Sequence, residues 1–386
     1  MKKTVRLFDE NSKINTFEAT VISCELSKDN CFALVLDRTA FFPNEGGQSC
    51  DKGTIDGIEV LSVDEEDGII IHFVKSAFEP LSKVTGRIDF EKRFRKMQNH
   101  TAEHIVSGII YKLFGYSNVG FHLGDGYMTA DFDGELKGDD IEKIEHLANT
   151  VIFECKAVRA YYPDTSELHT LEYRSKIDLS ENVRIVEIDG VDMCACCAPH
   201  VDNTGEIGIV KIVDSIRYKG GVRLTMIAGY DALDDYRRRC EQIRYISMAI
   251  SSKQEKIAEG VDRLLDEMSD LKGKIAVLNR EKNERILESI TSTTGSLCLF
   301  EEFDNLTEIR NFVNRAQDKA GRLCAVFSGD DSIGYKYVIS SKTVDLTTLS
   351  KDINLTLGGK GGGSCTMIQG SCTAKREEIE NFIARI

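Results

Sequence analysis

The chain has 386 residues, 41% hydrophobic and 29% charged, with a formal net charge of −14. That length exceeds one ordinary core and predicts two to four domains, and the apolar content excludes a disordered chain. The acidic balance excludes indiscriminate nucleic-acid binding, which needs a positive surface, but leaves room for a local basic patch.

The opening MKKTVRLFDENSK runs into charge where a signal peptide needs an apolar stretch, and the longest apolar run, near GIIIHFV, is too short to span a bilayer. A cytoplasmic protein without membrane contact is expected. Its 12 cysteines are then reduced, and read as metal ligands, core filler or reactive thiols rather than disulfides.

Residues 1–90 alternate as short strands, TVRLFD, TFEATVISCEL, CFALVLD, GIEVLSVDEEDGIIIHFV and KVTGRIDF, which predicts a small β-barrel. Within it, Pro43 and Gly46-Gly47 build a tight loop in FFPNEGGQ, equally a hairpin turn or a loop for close approach to a ligand. RIDFEKRFRK then offers Arg87, Lys92, Arg93, Arg95 and Lys96, either a solvated helix start or a basic patch.

From Arg93, His104, Ile105, Ile109, Leu113 and Phe114 recur at helical spacing until Gly115. Strand-like FHLGDGYMTADFD follows, then a helix from Asp139 to about Cys155 with Ile141, Ile144, Leu147 and Val151 on one face. RIVEIDG and IGIVKIVDSIRYKGGVRLTMIAGY read as strands, completing an α+β unit over 91–230. Over 231–290 an alternating four-three step, including Tyr236, Ile243, Val261, Leu264, Met268, Leu271, Ile275 and Leu278, predicts a long helix or helical hairpin, with Ser251-Ser252 as the weak point. Residues 291–386 read as an α/β domain with helices over 305–320, near 345–353 and from Lys375. Its glycine loop around Lys360, LGGKGGGSCTMIQG, presents amides and a cation suited to phosphate but lacks the Walker and dinucleotide spacings. The expected fold class is therefore multidomain α+β.

In NHTAEHIVSG, His100 and His104 stand four apart and face one side of a helix. Downstream, GVDMCACCAPHVDNTGEIG places Cys196 and His200 four apart in a loop that Pro199 keeps from being helical. Two histidines from a helix and a cysteine and histidine from a loop have the number and softness that zinc prefers. Cys194 and Cys197 also read as buried reduced thiols. The string His-x-x-Glu-His spells the inverted zinc-protease signature. A four-ligand set without a glutamate instead leaves Glu103 as a helix-surface residue.

These residues carry a resemblance. HTAEH, CCAPHV, TGEIG, FFPNEGGQ and KGGVRL occur in the order found in the alanyl-tRNA editing proteins of the AlaX family, which are similar to the editing domain of alanyl-tRNA synthetase. The helical segment followed by GGKGGG looks like the DHHA-type domain that ends the synthetases and the long AlaX proteins. The loop departs from the family's Cys-Gly-Gly-Thr-His at Cys197-Ala198-Pro199, and the barrel loop has two glycines where many relatives have three.

The resemblance implies a zinc-binding editing domain over 91–230 and a DHHA-type domain over 291–386, joined by a coiled segment. It implies hydrolysis in trans of the ester on Ser- or Gly-tRNA(Ala), with Zn2+ on His100, His104, Cys196 and His200. Thr39, Gly46, Gly47, Gln48, Asn118, His122 and Asp192 are then the candidate substrate contacts. Arg93, Arg95, Lys96, Lys219, Arg223 and Lys360 are the candidate RNA contacts, and a homodimer through the coiled segment and C-terminal domain is an expectation. A zinc peptidase and a non-catalytic zinc-containing tRNA-binding module are the rival readings.

Overall fold

A computed structural model of the chain describes residues 2–27, 30–124, 126–175 and 183–386. They form two compact units, Met1–Ile246 and Ser247–Ile386, in a mixed α+β architecture. No helix among the described residues is long and apolar enough to cross a membrane.

The first unit begins with a closed six-stranded barrel built from Thr16–Leu26, Phe32–Leu36, Gly53–Ile55, Ile58–Glu66, Ile69–Val74 and Lys83–Ile88. Strand Ile69–Val74 shows why it closes: Ile70, His72 and Val74 are buried while their neighbours are half-exposed, the period of two that turns alternate side chains inward. Phe8, Phe41 and Phe42 complete the core. His72 is wholly enclosed there, with Nε2 2.9 Å from the Thr39 hydroxyl and Nδ1 3.2 Å from the Leu34 carbonyl. Thr39, expected from the sequence among the substrate contacts, is buried here against His72.

Out of the barrel runs a helix, α1, Phe90–Phe114. Asp89 caps its start by accepting from the Lys92 amide at 3.3 Å, and Gly115, at φ 72°, ends it in the left-handed conformation that a glycine adopts without strain. The helix is buried on nearly every side from Met97 to Ile110, so its polar residues Gln98, Asn99, His100, Thr101, Glu103 and His104 all lie in the interior. Arg93 fastens it to the barrel. The guanidinium Nε donates to both Asp51 oxygens at 2.9 and 3.0 Å, and further N–H groups reach the Ser12 carbonyl at 3.0 Å and the Ala40 carbonyl at 2.6 Å. Both side chains of the pair are 0–1% exposed, so Arg93, expected from the sequence among the RNA contacts, pins the helix to the barrel.

Against α1 lies a four-stranded antiparallel sheet in the order Val210–Tyr218, Gly221–Ala228, Met128–Phe132, Asn118–Leu123. A second helix, α2, Gly138–Phe153, presents Ile144, Ala148 and Ile152 as a buried stripe at steps of four. A three-stranded sheet, Val158–Tyr161, Ile185–Ile188 and Asp192–Ala195, supplies the other wall of the site and buries Asp192 and Cys194 on one face.

The sequence pattern over 231–290 resolves into two helices, α3, Gly229–Ala249, and α4, Ile257–Ser289, broken after Ala249 where Ser251 takes φ 51°. On α4 the residues at the four-three step, Val261 to Leu278, are 39–62% exposed in the single chain. Beyond α4 in the second unit is a mixed five-stranded sheet, Leu297–Phe300, Leu323–Asp330, Gly334–Ser341, Met367–Cys372 and Lys360–Gly363 in spatial order. Alternate residues of Leu323–Asp330 enter different cores: Leu323, Ala325 and Phe327 one, Cys324 and Val326 the other. The glycine run read as a loop is instead the edge strand Lys360–Gly363. A Cβ on Gly361 would stand 2.4 Å from the Tyr337 hydroxyl and 2.5 Å from the Gln369 carbonyl, so close strand packing accounts for that glycine.

Two outcomes follow. Arg93→Met leaves Asp51 as an uncompensated buried charge and is expected to lower the unfolding free energy of the first unit by about 3–5 kcal/mol in urea titrations. Burial holds the His72 imidazole down at about 4, so its neutral form is favoured by the fold. Its contribution is full above the ordinary histidine value near 6.5 and is lost as pH falls toward 4, a change of about 3 kcal/mol. Wild type should therefore lose stability over that window more steeply than His72→Gln, and parallel curves would exclude the effect.

Candidate metal centre and cavity

One turn of α1 separates His100 from His104, and the segment after strand Asp192–Ala195 brings Cys196 and His200 against them. The potential ligand atoms of all four residues lie within 4.8 Å of one another. The Cys196 Sγ is 3.6 Å from His100 Nε2 and 3.4 Å from His200 Nε2, and the three imidazole centroids are 4.6–5.4 Å apart.

Hydrogen bonds on the far side of each ring fix which nitrogen faces the cluster. His100 Nδ1 lies 2.9 Å from Gln48 Oε1, an atom that can only accept. His104 Nδ1 lies 3.1 Å from the Asp192 carboxylate. His200 Nδ1 lies 3.0 Å from Thr101 Oγ1, whose own proton goes to the Met97 carbonyl at 2.8 Å. All three rings therefore carry a proton on Nδ1 and turn Nε2 inward, the arrangement in which outer acceptors orient imidazoles toward a metal.

The electrostatics separate the thiols. Burial pushes Cys194 and Cys197 up, which keeps them protonated. Burial also pushes Cys196 up, but its setting among the histidines, His100 foremost, outweighs it and holds this thiol well below its ordinary value. Burial lowers His200 to about 3, favouring the neutral ring. Asp192 is pushed up by burial but held at about 2 by His104 and by Arg174, which grips it at 2.7 and 2.8 Å. One thiolate and three imidazole nitrogens suit a four-coordinate, borderline-soft ion.

The cluster opens on a cavity of about 540 Å³ lined by His100, His104, Cys196, Gly46, Gly47 and Glu103, within the usual size of small-molecule sites, roughly 300–1,000 Å³. The barrel loop forms part of its wall. It closes on itself between Glu45 and Gln48, and its Gly47 carbonyl accepts from the Leu123 amide at 2.9 Å. Gly47 has φ 81°, and a Cβ there would meet the Phe121 carbonyl at 2.6 Å. The Gln48 Nε2 is buried with no hydrogen-bond partner.

The other sequence-derived candidates divide. Asn118 lines the cavity, whereas Asp192 stands behind it on His104. His122 is exposed on its strand and does not line the cavity. Arg95 is engaged by Asp231 and Asp234 at 2.8 and 2.7 Å, Lys96 by the Ser49 and Cys50 carbonyls, and Arg223 by Asp131. Lys219 and Lys360 are exposed. Arg174 and Arg184, which also line the cavity, sit in no motif. Glu103 corrects its own expectation: it is 4% exposed and faces the cavity, not the solvent.

Comparison with known proteins adds an independent line. The family described as Threonyl and Alanyl tRNA synthetase second additional domain matches residues 183–264. Alanyl-tRNA editing protein AlaX-L of Pyrococcus horikoshii is 28% identical, over 97% of this chain and 96% of its own. Alanyl-tRNA editing protein Aarsd1 of Danio rerio is 27% identical, over 95% and 94%. Alanine–tRNA ligase of Ignicoccus hospitalis is 27% identical over 98% of this chain, which spans 42% of that ligase.

A cobalt(II) titration of the full chain is expected to give the sulfur-to-metal charge-transfer absorption of a tetrahedral site, and Cys196→Ser to abolish it. Asp192→Asn, which removes the acceptor behind His104, should weaken metal binding roughly 10–100-fold in chelator competition while keeping the absorption.

Proposed function

The chain is a homologue of the alanyl-tRNA editing proteins along nearly its whole length, and from that premise we propose that it edits in trans. It hydrolyses the ester joining serine or glycine to tRNA(Ala), using a zinc ion held by His100, His104, Cys196 and His200. The observation that carries the reading is the convergence of three inward-facing Nε2 atoms and one lowered thiol on the wall of a cavity. In this reading residues 1–90 supply the glycine-loop barrel, 91–230 the deacylase, 231–290 a coiled segment and 291–386 a DHHA-type domain.

Bound at this cluster, zinc would polarise the ester carbonyl and offset charge developing on its oxygen. The chain's own groups do the placing. Gly46 and Gly47 present the barrel backbone to the aminoacyl group on the cavity wall, and Gln48, just behind them, orients His100. Arg6, Arg174 and Arg184 line the cavity together with Glu45, Arg6 paired with Asp9, Glu45 and Glu65, Arg174 with Asp192 and Arg184 with Asp9; in this reading their outer N–H groups meet the phosphate of a terminal nucleotide. Lys219 and Lys360 are the exposed cations available to the rest of the RNA. A peptidase reading has in its favour the spelling HTAEH and the place of Glu103 on the cavity, but none of the full-length similarity to editing proteins.

Zinc-loaded full chain is expected to deacylate Ser-tRNA(Ala) or Gly-tRNA(Ala), with Cys196→Ala and His104→Ala slower by on the order of 100-fold or more. A zinc-loaded wild type that leaves both esters intact refutes the proposal.

A further inference from the structure

Arg184 enters the reading above through the cavity it lines, yet its hydrogen bonds go to the segment that carries Cys196. It is 7% exposed and stands immediately before strand Ile185–Ile188. Its backbone carbonyl accepts from the Cys196 amide at 3.0 Å. Its Nη1 donates to the Cys196 carbonyl at 3.0 Å and to the Ala198 carbonyl at 2.8 Å, while its Nε lies 3.4 Å from Asp9. One residue thus holds the backbone on both sides of the Cys196 side chain.

The segment needs an outside brace. Residues 196–201 lie in neither helix nor strand, so no regular ladder satisfies their backbone, and Pro199 has no N–H with which to close a turn. The His200 half is tied to other elements: the Ser12 hydroxyl donates to the His200 carbonyl at 3.0 Å, and Thr101 Oγ1 accepts from the Val201 amide at 3.3 Å. The Cys196 half is tied by Arg184. Ala198 is fully buried, so its carbonyl, if released, would lose a partner without gaining water. A guanidinium suits this task, because the two N–H groups on one nitrogen are fixed in a plane and hold two carbonyls in a set relation.

We propose that Arg184 is the positioning residue for the Cys196 sulfur. By fixing the peptide groups before and after Cys196, it presents the sulfur to the three Nε2 atoms. Gln48, Asp192 and Thr101 turn the imidazole rings, whereas Arg184 sets the fourth donor. This rests on the metal-binding part of the deacylase reading.

The test is cobalt(II) binding to the full-length protein without RNA, which keeps any contact of Arg184 with a phosphate out of the readout. Affinity is measured by chelator competition, and the sulfur-to-metal charge-transfer absorption is measured per bound cobalt. Arg184→Met is expected to weaken binding roughly 10–100-fold and, at saturating cobalt, to lose most of the charge-transfer band. Asp192→Asn, which acts on a histidine, should weaken binding with the band intact. Arg184→Lys, whose nitrogen ends one bond short of Nη1, should restore part of both affinity and band. Arg184→Gln, whose amide nitrogen ends two bonds short, should lose the band as the methionine variant does, and it decides the matter if that variant does not fold.

Weakened binding with an undiminished band per bound cobalt in the methionine or glutamine variant would show that Arg184 serves stability alone, and overturns the inference. Unchanged affinity and band in those variants overturn it equally, with the metal site of the wild type left standing. A wild type that gives no charge-transfer band overturns the metal reading and this inference with it, so the two failures are distinguishable.

Discussion

The buried pair of Arg93 and Asp51 is the constraint on which the geometry of the site depends. It joins the first two turns of α1 to the barrel, and Asp51 at the same time accepts from the Phe42 amide at 2.6 Å. Removing two charges from water is costly, and a pair of this kind offsets that cost only through dense hydrogen bonding. Arg93 has it, with two backbone carbonyls in addition to the carboxylate. The value of the pair is positional. Arg93, His100 and His104 fall on one face of the helix, so fixing the first sets the direction of the other two relative to the glycine loop. Gln48 can then meet His100.

From that docking the cluster is assembled by acceptors of three different origins. Gln48 comes from the barrel loop, Asp192 from the three-stranded sheet, and Thr101 from α1 itself. Each takes the Nδ1 side of one histidine. The inward face then consists of three nitrogens of the same kind beside the Cys196 sulfur, held in place by groups outside the cluster. Gly47 belongs to the same construction, because only a residue without a Cβ allows the loop to close against Phe121.

The cluster of His100, His104, Cys196 and His200 was legible in the sequence because spacing alone carries it: a four-residue step on a helix, and a second in a loop stiffened by Pro199. The long helices and their break at Ser251 were legible for the same reason, since a periodic apolar pattern and its interruption are local signals. What escaped depends on tertiary placement. Arg93 lies in a run of basic residues that reads as a solvated helix start, and only the return of the chain through Asp51 makes it internal. Thr39 adjoins the glycine loop in sequence, yet its side chain turns inward to His72. The KGGG strand looked like a phosphate-binding loop because glycines that permit close strand packing and glycines that permit a flexible turn have the same composition. Arg174 and Arg184 had no motif and become visible only as the lining of a cavity.

Glu103 shows where reasoning from a single helix fails. Helical geometry places it beside the histidines, and a surface helix would leave it in water. But α1 has no solvent face along its central turns: from Met97 to Ile110 every residue is buried. Any polar residue in that span must therefore find its partners inside, and those partners come from separate elements. Gln98 reaches the Glu206 carbonyl at 2.9 Å, Asn99 reaches Asp231 at 2.7 Å, and Glu103 is met by Ser107 and Asn118. Such a helix gains specificity of position at the expense of hydrophobic burial. The first turns of α3 are tied to α1 through Asn99 and Arg95, so the same polar core that orients the cavity also fixes where the following helix departs.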